Sequence, residues 1–108
     1  MAEGNEPPRA AGERELVEEL GLAVVAGRVL TLDWVGPHGP WDDLLVFVFD
    51  GGTLSASQAS GVRISDPEIG AFAFVELAEA KRMLRPDVAR RLARAHRALE
   101  AGSTDYLE

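Results

Sequence analysis

The sequence predicts a single α/β domain spanning residues 1–108, on three observations. A glutamate-rich run near the start has no strong helix breaker until a glycine closes it. Leu44–Phe49 is a short, wholly apolar run ending at Asp50-Gly51-Gly52, as a buried central strand would. Two helical patterns then fill the end of the chain, divided at Arg85-Pro86. At 108 residues with 46% hydrophobic content, the chain can bury a core without covalent staples.

In order along the chain, residues 1–8 read as a loop, because Gly4 and Asn5 favour turns and Pro7-Pro8 delays the helix. Residues 9–20 read as a helix, with Gly21 placed to adopt the left-handed cap. Residues 22–32 suggest a strand bent at Gly27, and residues 36–40 a loop. After Leu44–Phe49 a hairpin turn is expected, then a small polar stretch over 53–63 and an acid-tipped loop over 65–68. Residues 71–75 suggest a further strand, and 76–84 and 87–101 two helices. In the last helix Val88, Leu92, Ala95 and Leu99 recur at helical spacing, so these residues should face the core and the arginines solvent.

Composition narrows the chemistry. There is no cysteine, which excludes disulfides, thiolate catalysis and thiolate zinc sites, and points to a reducing, cytoplasmic setting. No apolar stretch approaches the roughly 20 residues that cross a bilayer. A net charge of −7 argues against binding nucleic-acid polymers by phosphate neutralisation. Free nucleotides stay accessible, since a divalent cation reverses the local sign.

On a helix turning about 100° per residue, Glu15, Glu18 and Glu19 share one sector, with Leu16, Val17 and Leu20 opposite. Like charges three and four residues apart each cost a helix about 0.2–0.5 kcal/mol, with only Arg14 nearby to offset them. Oxygen donors at this spacing suit Mg²⁺, with Mn²⁺ an acceptable substitute. The alternative is a solvated acidic face. The run Arg14-Glu15-Leu16-Val17-Glu18-Glu19-Leu20-Gly21-Leu22, with Glu6 eight positions before Arg14, resembles the Nudix box G-x5-E-x7-R-E-U-x-E-E-x-G-U, where U is aliphatic. The likeness is strong over residues 3–22 and loose thereafter. The opening glycine of the box would fall just before Met1, so the expectation is a Nudix-like domain lacking its N-terminal strands.

The resemblance implies an α/β/α sandwich with a mixed sheet, and hydrolysis of the pyrophosphate linkage in a nucleoside diphosphate derivative. It implies Glu15, Glu18 and Glu19 as metal ligands, Glu6 as their support from the loop, and Arg14 as the residue that orients a box glutamate. The general base would be Glu15 or Glu68. Trp41 could stack on a base and Asp43 could meet a ribose or an amine, although an exposed tryptophan packed on its own scaffold is equally consistent. The terminal arginine stripe, His38 and His96 are read as solvated surface. Two other readings stand beside the enzyme: an impaired nucleotide-binding module, and an interaction protein that forms a homodimer through an uncovered sheet edge.

Overall fold

A computed structural model of the chain describes residues 4–64, 69 and 71–108. The chain divides into two compact units, one of Met1–Gly27 with Gly51–Ala73 and one of Arg28–Asp50 with Phe74–Glu108. Together they hold helices and a small mixed sheet, an α/β content.

The first unit is built on α1, Pro8–Leu20. Pro8 opens the helix at a position where no N–H is needed, and Ala11 N–H donates to the Pro7 carbonyl at 3.0 Å. Gly21 closes it with φ 61°, the left-handed conformation a side chain would resist. Ala11 and Val62 are buried and Leu16 and Leu20 half-buried, whereas Val17 stands exposed rather than facing the core with them. Residues 22–28 form no strand, contrary to the apolar pattern. Their backbone is instead held by side chains of α1: Glu13 accepts the Ala26 N–H at 2.7 Å, and Arg9 donates to the Gly27 carbonyl at 2.9 Å. The polar stretch contains a one-turn helix, α2, Ala56–Ser60, framed by a capping box between Ser55 and Gln58. Residues 71–75 are exposed and carry no strand.

The second unit is a three-stranded sheet in the order β2-β1-β3 with two helices. The strands are β1, Val29–Val35, β2, Leu44–Phe49, and β3, Asp105–Leu107; the helices are α3, Leu77–Met83, and α4, Pro86–Ala101. β1 pairs antiparallel with β2 and parallel with β3, so the central strand is β1, and β2 lies at an edge of the sheet among the described residues. Among the described residues the turn after β2 therefore leads to no partner strand. A register irregularity between Val29 and Thr31 allows both Leu30 and Thr31 to be buried.

α4 supplies the core with Ala95 and Ala98, packed on Leu30 with Val48 alongside. The helix is rotated from the expected face, since Ala98 is 1% exposed and Leu99 42%. Polar ties explain the rotation. Arg91 Nε donates to Asp33 Oδ2 on β1 at 2.8 Å, and Arg94 Nε to Asp105 Oδ2 on β3 at 2.9 Å. Two arginines of the stripe thus face the sheet rather than solvent. Gly102, at φ 68°, ends α4 in a Schellman turn, with Ser103 N–H donating to the Ala98 carbonyl. Arg28 reaches the same end and donates to the carbonyls of Ala98, Leu99 and Ser103.

Asp33 is buried and Arg91 nearly so, and removing one partner leaves the other's charge uncompensated. Arg91→Ala should lower unfolding stability by about 3 kcal/mol. The Arg91→Ala, Asp33→Ala pair should cost less than the sum of the single changes, as a urea-denaturation double-mutant cycle would measure.

Candidate functional site

The carboxylates singled out in the sequence lie in the first unit, on α1 and in the turn before it. Asn5 takes a positive φ of 65°, a conformation asparagine tolerates, and the chain turns there to bring Glu6 to the mouth of the helix. Side chains on a helix lean toward its N-terminus, so Arg14, nearly two turns in, reaches back to that loop. Its guanidinium grips Glu6 with two hydrogen bonds, Nε to Oε2 at 2.9 Å and Nη2 to Oε1 at 3.0 Å. Nη1 donates to Glu18 Oε2 at 2.8 Å, one turn further on. Glu15 Oε1 lies 3.8 Å from Nη2. One guanidinium is therefore within 4 Å of three carboxylates, and the bonds to Glu6 and Glu18 raise its pKa above the usual arginine value.

Glu19, in the last turn of α1, is half-buried and makes no hydrogen bond or ion pair among the described residues. Among those residues no three carboxylates or imidazoles are grouped so as to hold a metal ion as they stand. The donor chemistry nevertheless fits a hard divalent cation. Glu15, Glu18 and Glu19 offer only oxygen from one sector of one helix, and the Arg14 guanidinium lies near three carboxylates. Glu18, with its side chain 59% exposed, is free to rotate away from Arg14 at little packing cost. Glu68, the other candidate base, lies outside the described residues.

Trp41 and Asp43 belong to the second unit. Trp41 is 66% exposed on the loop after β1, where its backbone exchanges hydrogen bonds with His38 at 3.0 and 3.1 Å. Asp43 accepts the indole N–H of Trp34 at 2.8 Å, so its carboxylate already supports the scaffold. The Trp34 ring lies over Gly36, where a Cβ would come within 3.3 Å of it. His38 Nδ1 sits 3.0 Å from the Gly36 carbonyl, and His96 pairs with Glu100 one helical turn on.

One residue that the sequence pattern did not mark is Arg63. Its N–H donates to the Leu20 carbonyl at 2.8 Å, which sets it beside the last turn of the carboxylate helix. No motif encodes that contact across more than 40 positions; only the fold reveals it. No protein-family model, curated protein or solved structure matches the chain.

The fork geometry of Arg14 should matter as well as its charge, because lysine cannot make the two parallel bonds to Glu6. Arg14→Gln should lower stability, with Arg14→Lys recovering only part of the loss in thermal or urea unfolding.

Proposed function

We propose that this chain is a Nudix-type hydrolase that cleaves the pyrophosphate linkage of a nucleoside diphosphate derivative with Mg²⁺. The observation that carries the reading is the Arg14 knot. It ties the loop glutamate Glu6 to α1 and leaves Glu15, Glu18 and Glu19 on one helix with an excess of negative charge. A cation is the economical answer to that excess, and Glu15, Glu18 and Glu19 are the side chains to hold it.

When bound, Mg²⁺ supplies positive charge against the phosphate oxygens and makes water more acidic. In the reaction a water oxygen bonds to phosphorus, the P–O–P bridge breaks, and the bridging oxygen leaves on the second phosphate. The water gives up its proton to a carboxylate, for which Glu15 is the candidate within the described residues. Arg14 keeps Glu6 in place and neutralises part of the cluster, so the remaining carboxylates retain their orientation between turnovers. In this reading the helices and mixed sheet belong to a Nudix-like α/β/α sandwich.

A second reading, an impaired nucleotide-binding or interaction module, is favoured by one observation. Arg14 already places a cation among Glu6, Glu15 and Glu18, and the carboxylates are not gathered into a cage.

A panel of nucleoside diphosphate derivatives separates the two. The enzyme reading expects turnover that needs Mg²⁺ and falls by at least about a hundredfold in the Glu18→Gln, Glu19→Gln double variant. Turnover equal to wild type in that variant would sink it. Binding without turnover at any Mg²⁺ concentration would select the module.

A further inference from the structure

We propose that Arg63 is a substrate-positioning residue of this site, pairing with a phosphate of the phosphoanhydride as it approaches the carboxylate helix. The inference rests on the reading of α1 as a phosphoanhydride site and adds the group that meets the substrate's own charge.

The need for such a group follows from the charge of the first unit. Met1–Gly27 and Gly51–Ala73 together contain eight acidic residues, three arginines and no lysine or histidine. A pyrophosphate derivative carries at least two negative charges, so it is repelled unless cations meet it. Two of the three arginines are committed within the unit. Arg9 donates to the Gly27 carbonyl, and Arg14 is spent on Glu6 and Glu18.

Arg63 differs from both. Its side chain is exposed, and its guanidinium makes no hydrogen bond or ion pair among the described residues. Its backbone, in contrast, is well held. Val62 before it is buried, its own N–H donates to the Leu20 carbonyl at 2.8 Å, and its carbonyl oxygen lies 4.0 Å from where a Cβ at Gly21 would stand. A backbone tied to α1 beneath an uncommitted guanidinium limits the entropy lost on binding an anion. The anchor adjoins Leu20, the neighbour of Glu19, so the backbone that carries this guanidinium is fixed at the end of α1, next to the residue with the uncommitted carboxylate. The planar fork of arginine suits two phosphate oxygens at once.

The test uses the full chain and the best substrate of the panel. Arg63→Ala should raise KM about tenfold with kcat within about twofold and the Mg²⁺ activation constant unchanged, and Arg63→Lys should recover part of the loss. Arg90→Ala, which removes an exposed arginine from the other unit, should leave KM unchanged. An unaltered KM in Arg63→Ala, or an equal rise in Arg90→Ala, overturns the assignment. If the wild type hydrolyses none of the panel, the hydrolase reading fails, and Mg²⁺ with inorganic pyrophosphate becomes the calorimetric probe. Pyrophosphate binding that weakens about tenfold in Arg63→Ala still supports the assignment, whereas no binding by the wild type overturns it together with the site.

Discussion

The guanidinium of Arg14 is the point on which the first unit turns. Around it stand Glu6 from the entry loop, Glu15 beside it and Glu18 one turn on, all within 4 Å. Without a positive charge there, like carboxylates at three- and four-residue spacing would oppose the helix that carries them. With it, the loop and the helix are joined at both oxygens of Glu6, and the entry to α1 has a defined geometry. Three carboxylates thus share one guanidinium.

The second unit uses arginine differently. Arg91 and Arg94 point from α4 into carboxylates on β1 and β3, and Arg28 spends its guanidinium on the carbonyls at the end of α4. These bonds join a helix to a sheet whose apolar core is small, Leu30 with two alanines and Val48 beside them. Short alanine side chains bring the α4 backbone close to β1, and the long arginines bridge the distance at the flanks. A cluster of basic residues whose spacing suggested a solvated face is therefore in part an internal framework. Arg63, whose backbone bonds to the end of the carboxylate helix, is by contrast a solitary arginine with no basic neighbours in the sequence.

Trp41 and Asp43 show how the same residue types can serve either scaffold or ligand. The carboxylate of Asp43 orients Trp34, and Trp34 occupies the space that Gly36 leaves by having no side chain. Trp41 keeps its ring exposed while its backbone pairs with His38.

What the sequence determined by itself is everything written in neighbouring residues. The helix carrying Glu15, Glu18 and Glu19 and its stop at Gly21 follow from local backbone preferences, as do the limits of β2 and the break between α3 and α4 at Pro86. The carboxylate stripe was legible for the same reason, since helical periodicity places those side chains together wherever the helix goes. Tertiary structure decided the pairings between distant segments. Residues 22–28 are not a strand because Arg9 and Glu13 satisfy their backbone first; β3 is a strand because β1 lies beside it. Arg91 and Arg94 turn inward because Asp33 and Asp105 wait there, and Arg63 reaches the carboxylate helix through a hydrogen bond to Leu20. Such contacts depend on which segments meet in space, and no local pattern of residue types specifies that meeting.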